Sequence, residues 1–140
     1  GNATYQDDDD FEARNGDLGM TAAMVAVISD EPGIATSILA SSRFTQVNDS
    51  YNVGCMDHRR SIFSMAALKG QTQVCSTLLQ HPLFTGLARV DDYGVTVLMM
   101  AALRNTPGNA EICRMILEDP RFPDELVNAT SCTGGSHQWN

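Results

Sequence analysis

The sequence predicts an all-α fold in which three like helical hairpins stack side by side, separated by short turn-forming fingers. Self-similarity is the first reason. The stretches GMTAAMVAV from Gly19, RRSIFSMAA from Arg59 and GVTVLMMAA from Gly94 each carry Thr or Ser at the third residue and Ala at the eighth. A second set follows them: IATSILASSRF from Ile34, VCSTLLQHPLF from Val74 and ICRMILEDPRF from Ile112 place Phe44, Phe84 and Phe122 five residues after Leu39, Leu79 and Leu117. Ala26 precedes Ala66 by 40 residues and Ala66 precedes Ala101 by 35, a period that marks stacked arrays. Helical spacing of the apolar residues within each unit is the second reason.

Taken in order, residues 1–15 read as an acidic tail. Asp7 to Asp10, Glu12 and Asp17 against Arg14 put −5 of the formal −8 on the first seventeen residues. Such a run is normally solvated; its other use is to dock on a basic patch, with association weakening as salt rises. It lacks the alternating spacing, turn glycine and distal glutamate of a calcium loop. Three units then occupy residues 16–55, 56–90 and 91–128, and residues 129–140 form either a tail or the start of an incomplete fourth unit, whose finger would begin over 130–134.

Each unit opens with a short helix. Residues 96–104 are rich in Ala, Met and Leu and begin at a hydroxyl suited to free helical amides. The second helix of the third unit is expected over 110–119, with Ile112, Met115 and Ile116 on one face and Pro120 as its stop. Pro82 stops the second unit's helix after His81, whereas the first unit has no proline there and its helix end is less sharply set. Two insertions account for the uneven period: one within 49–57, lengthening the first inter-unit loop, and one within 105–109, separating the third unit's helices. Asp91-Asp92-Tyr93-Gly94 has the composition of a tight turn. Small residues at Ala66-Ala67 and Ala101-Ala102 allow a neighbouring helix to approach closely, and stacking gives short hairpins the continuous core that none has alone.

Composition excludes several function classes. Nine basic against seventeen acidic residues repel phosphate backbones and anionic lipid surfaces, which makes nucleic acid an unfavourable partner. No stretch approaches the roughly eighteen apolar residues of a membrane span. Four cysteines at 55, 75, 113 and 132 are too few and too spread to staple the chain, so a reducing or redox-neutral compartment is expected. Cys75 and Cys113 take the same helix position in successive units and read as small buried hydrophobes. Cys55, Asp57 and His58 supply two suitable metal ligands locally where a site needs three or four. The triplets at Asn2, Asn48 and Asn128 matter for glycosylation only in a secretory lumen. Met24, Met65, Met99 and Met100 are expected as adaptable core filler. No phosphate loop, metalloprotease helix or nucleophile elbow is present, so neither catalysis nor a cofactor is expected.

The third unit, DDYGVTVLMMAALRNTPGNAEICRMILEDPRF, resembles the ankyrin repeat family through its Asp-x-x-Gly-x-Thr-x-Leu-x-x-Ala-Ala run. The resemblance covers about three divergent repeats, roughly residues 16–128. Arg59 stands where the family usually has glycine, Ser61 for threonine, Phe63 for leucine, and Ala23 at that leucine position in the first repeat; Arg59 tolerates a left-handed turn less readily than glycine. The resemblance implies a helical-hairpin solenoid with short β-turn fingers that binds other proteins through finger tips and the exposed side of the first helices. Carried onto this chain, the partner-contact candidates are Asp17, Leu18, Met20, Ile28 and Ser29 in the first repeat, Asp57, His58, Arg60, Leu68 and Lys69 in the second, and Asp92, Tyr93, Val95, Leu103 and Arg104 in the third. A Tyr between acidic residues at a turn also suits an interface anchor on physical grounds, although the same residues serve simply to build the turn.

The expected function is thus a non-catalytic protein-interaction module, intracellular and soluble or peripheral. A second reading is a stoichiometric peripheral subunit of a large organellar complex, photosynthetic or respiratory. The opening Gly and the eight arginines beside one lysine would accord with a removed targeting peptide. A third is the regulatory fragment of a larger enzyme, because residues 127–130 resemble the opening of another repeat.

Overall fold

The computed structural model describes residues 19–52 and 59–131. The acidic tail, Asp17, Leu18, Cys55, Asp57, His58 and everything from Cys132 onward lie outside the described residues. Within them the chain is mostly helical: α1 Ala22–Ile28, α2 Pro32–Ala40, α3 Ile62–Leu68, α4 Thr72–Gln80, α5 Val97–Ala101, α6 Pro107–Glu118 and α7 Asp124–Val127. One antiparallel ribbon joins β1 Ser50–Asn52 to β2 Arg59–Ser61, with Tyr51 opposite Arg60.

The hydroxyls at the third position of each repeated stretch are helix caps. Thr21 Oγ1 accepts from the Met24 amide at 3.2 Å, Ser61 Oγ from Ser64 at 3.1 Å and Thr96 Oγ1 from Met99 at 3.2 Å. In α3 the cap is reciprocal, since Ser64 Oγ accepts from the Ser61 amide. In α1 the Met24 sulfur takes that part. A capping hydroxyl of this kind is worth about 1 kcal/mol, a useful increment for helices of five to seven residues that are too short to persist alone.

The second helices end alike. Ser41, His81 and Asp119 donate to Ile38, Leu78 and Ile116 carbonyls at 3.0–3.2 Å, and Phe44, Phe84 and Phe122 donate back to Ser41, His81 and Asp119 at 3.0–3.1 Å. The first unit therefore closes as sharply as the others without a proline, because the same backbone turn brings its phenylalanine back against the core. Two expectations for the third unit are corrected. The second helix starts three residues early: Thr106 caps it by accepting from Asn109 at 3.0 Å and Pro107 occupies its first turn, where a fixed φ and a missing N–H suit a helix start. Most of the 105–109 insertion is therefore an added turn of helix rather than loop. The first helix, expected to run to Arg104, stops at Ala101, because the chain must reverse over 102–105 to reach that earlier start. Asp119 correspondingly caps α6 rather than belonging to it.

Helices α1, α3 and α5 pack in one row and α2, α4 and α6 in a second, each first helix lying against its own second helix. Ala23, Ala26, Ala66, Ala67 and Ala101 are buried where these helices meet, while Ala102, expected beside them, is exposed. Phe63 fills the centre and stacks on Phe84 with ring centroids 5.5 Å apart. Val47 and Leu87, three residues after Phe44 and Phe84, close the core from below the second helices.

A polar lock recurs at both junctions between units. Gln71 Nε2 donates to the Val27 carbonyl at 3.0 Å, and Asn109 Nδ2 donates to Ala67 and Leu68 carbonyls at 3.0 and 3.1 Å and to Ala101 at 2.8 Å. Each lock adds a donor at the C-terminal end of the preceding first helix, where the carbonyls lie beyond the reach of intrahelical amides; the Val27 and Ala67 carbonyls also accept from the Asp30 and Gly70 turn amides at 3.1 and 3.2 Å. At the second junction the backbones nearly touch. A Cβ on Gly108 would lie 2.3 Å from the Gly70 carbonyl oxygen, and Gly70 itself turns at φ 71°. These two glycines are demanded by close approach and by the left-handed turn.

Candidate functional site

The third finger is braced from within. Asp91 Oδ1 accepts from the Tyr93 and Val95 amides at 2.8 and 2.9 Å, the Asp91 amide donates to the Val95 carbonyl at 3.1 Å, and Gly94 sits at φ 75°. The other carboxylate oxygen meets Arg60 Nη1 at 3.2 Å, tying this finger to the ribbon of the previous one. Asp91 thus builds the turn, and Asp92 beside it is exposed. Val95 is only 8% exposed, so the contact role expected for it is corrected: its side chain supports the finger from inside instead of meeting a partner.

Between the ribbon and this finger lies a cleft of about 270 Å³ walled by Arg60, Arg89, Asp92, Thr96 and the hydroxyls of Ser61 and Ser64. It brings Arg60, Asp92 and Val95 to one place although 32 residues separate Arg60 from Asp92. Arg89 was not among the sequence candidates; its only signal was a basic residue just ahead of the Asp91 turn. Charges in the cleft are balanced, Arg60 and Arg89 against Asp91 and Asp92. Tyr51, opposite Arg60 in the ribbon, is buried, and that burial pushes its phenol up to about 12 although the nearby Arg60 pulls the other way.

A second group of candidates gathers at the C-terminal ends of the first helices. Ile28 and Leu68 are the last residues of α1 and α3, and Leu103 takes the corresponding place in the turn two residues beyond α5. Ile28 and Leu68 are half-buried, and Leu103 is 46% exposed. Beside them run Ser29, Lys69 and Arg104. Lys69 Nζ meets Asp30 Oδ1 at 2.8 Å, and this hydrogen bond, with Lys69 and Arg104 charges in support, holds the Asp30 carboxyl below the usual carboxylate range. The result is an apolar strip edged by two cations and one anion. Asp30 turns the chain at φ 60°, where the second unit uses Gly70. Met20, also exposed, stands apart from both groups at the start of α1.

Cys75 is fully buried, as expected, and its thiol is pushed well above the ordinary range by desolvation; Cys113 is half-buried and shifted the same way. No group of three or more His, Cys, Asp or Glu side chains converges among the described residues. No helix among them is long and apolar enough to cross a membrane. No protein-family model, curated protein or solved structure matches the chain.

Proposed function

We propose that the protein is an ankyrin-like array of three hairpins that binds another protein without catalysis, through its third finger and the strip along its first helices. The observation that carries this reading is the strip itself. Leu68 and Leu103, with Lys69 and Arg104 alongside, combine apolar area with charged edges, the make-up of an interface centre and its rim. The internally braced finger supports it, because a turn held by its own Asp91 and by Arg60 loses little freedom on binding and so can present Asp92 and Tyr93 cheaply. Equivalent caps, equivalent helix ends and the recurring amide lock support the repeat reading.

The test is to isolate the protein from its native source, identify what co-migrates, and repeat the capture with Tyr93→Ala combined with Arg104→Ala. The double variant is expected to lose at least tenfold in partner affinity, about 1.4 kcal/mol. Unchanged capture would reject this surface. A partner held in fixed ratio would mark a permanent subunit, and protein recovered mostly alone a transient adaptor.

A further inference from the structure

The cleft between the ribbon and the third finger holds hydrogen-bonding capacity that the fold does not use. Ser50 lines it, opposite Ser61 and at the end of the ribbon away from Asn52 and Arg59. The residue is only 8% exposed, and its hydroxyl makes no hydrogen bond with any described residue. That hydroxyl is not sealed in, because Gln71 Oε1 is the only fully enclosed side-chain polar atom without a partner among the described residues. The Ser61 and Thr96 hydroxyls, also in the cleft wall, accept from the Ser64 and Met99 amides, and their own protons go to no described acceptor. A buried hydroxyl that gives its proton to nothing is a cost to the fold that a ligand's acceptor recovers.

The charged groups call for the same kind of ligand. Asp91 is spent on the Tyr93 and Val95 amides through Oδ1 and on Arg60 through Oδ2. Arg60 uses Nη1 for that pair and keeps the rest of its fork, while the exposed Arg89 side chain makes no hydrogen bond or ion pair with any described residue. The unspent groups are thus chiefly donors. A carboxylate on a short apolar stem answers them, with oxygens for the hydroxyl protons and guanidinium N–H groups and methylenes for Val97 and Met100 in the wall. A doubly charged phosphate suits the cleft less well, since Asp91 and Asp92 already balance the two arginines and the whole chain carries −8.

We propose that this cleft is a carboxylate-binding site that takes one acidic side chain of the partner protein, held by Arg89 and by the hydroxyls of Ser50, Ser61 and Thr96. The proposal rests on the interaction reading above and names what the partner brings to the third finger. A cleft of about 270 Å³ has room for such a side chain and not for a folded segment.

The probe is N-acetylglutamate α-amide, whose one carboxylate is that of the side chain, titrated into isotope-labelled protein and followed by two-dimensional NMR. N-acetylglutamine α-amide and inorganic phosphate are the controls. Saturable shifts at the Ser50, Ser61 and Thr96 amides and at Arg89 Nε are expected with a Kd of about 1–10 mM, the range for a single side chain detached from its protein. The glutamine amide is expected to bind about tenfold more weakly or worse, phosphate more weakly than the carboxylate, and Arg89→Ala to lose about tenfold. Ser50→Ala, which removes a neutral donor, is expected to lose about threefold. Neither side chain bonds to the fold, so both variants should melt as the wild type does, which circular dichroism checks. The proposal is overturned if the two amides bind alike, if phosphate binds more tightly than the carboxylate, if either variant binds as the wild type does, or if shifts are absent or fall outside the cleft. Its failure is separable from that of the interaction surface. Absent carboxylate binding with partner capture still lost in the Tyr93→Ala, Arg104→Ala double variant strikes the cleft and leaves the surface standing, and carboxylate binding with unchanged capture does the reverse.

Discussion

Replacing Asn109 by Ala and by Asp separates what its amide does from what its volume does. The side chain is 1% exposed, and its Nδ2 stands 2.8–3.1 Å from three carbonyls, Ala67, Leu68 and Ala101, while its Oδ1 accepts from the Thr106 hydroxyl at 2.6 Å. Two N–H groups serve three acceptors, so two full bonds are at stake. The Ala67 carbonyl keeps the Gly70 amide at 3.2 Å, whereas the buried Ala101 carbonyl loses its donor; an unpaired buried acceptor costs about 1–3 kcal/mol, and Asn109→Ala should cost about that much. Asn109→Asp keeps the shape but sets an oxygen against those carbonyls, and a buried unpaired charge should cost about 3–5 kcal/mol. Its carboxyl would be driven upward in the folded state. The folded protein would then hold the proton that the unfolded chain releases, so the variant loses stability as pH rises and recovers it as pH falls. Urea unfolding followed by circular dichroism at pH 5 and pH 8 reads both effects. An Asn109→Asp variant as stable as wild type at pH 8, or one whose deficit is the same at both pH values, would refute the lock.

Further outcomes follow from single contacts. Gly108→Ala improves helix propensity by about 1 kcal/mol but drives a Cβ into the Gly70 carbonyl, an overpacking penalty of about 1–3 kcal/mol, so a lowered urea midpoint is expected. Thiol labelling followed by peptide mass spectrometry should modify Cys113 well before Cys75, because burial pushes the Cys75 thiol further up; simultaneous labelling would contradict the packing. Asp119 is held below the usual carboxylate range by its hydrogen bonds from Arg121, so the stability it adds is present above the unfolded value and lost as pH falls through the folded one. Acid titration of Asp119→Asn should therefore show a shallower fall below pH 4 or so than the wild type.

Much of the fold was legible because its signals are local. Thr21, Ser61 and Thr96 announce helix starts, Pro82 and Pro120 lie just past helix ends, and the recurring phenylalanines fix the period. The structure departs from the local signals where two of them act together. Length alone marks 105–109 as an insertion, yet Thr106 and Pro107 side by side make a helix start. Val95 occupies a finger, and only the bracing of that finger by Asp91 shows that it points inward. Burial at equivalent positions was least legible of all: Ile34 and Val74 take matching places in the repeated stretches, yet Ile34 is exposed and Val74 buried, a difference that no local pattern encodes. The Arg60–Asp91 pair and the bonds from Asn109 to Ala67 and Leu68 join residues 31 to 42 positions apart, and no spacing rule announces either.

The interaction role is tested most directly by hydrogen exchange on the native protein with and without the partner that co-purifies with it. Slowed exchange is expected along residues 60–70 and 91–104, the stretches that carry the ribbon edge, the braced finger and the apolar strip. Protection confined to the second helices α2 and α4, or none anywhere, would contradict the assignment of that face.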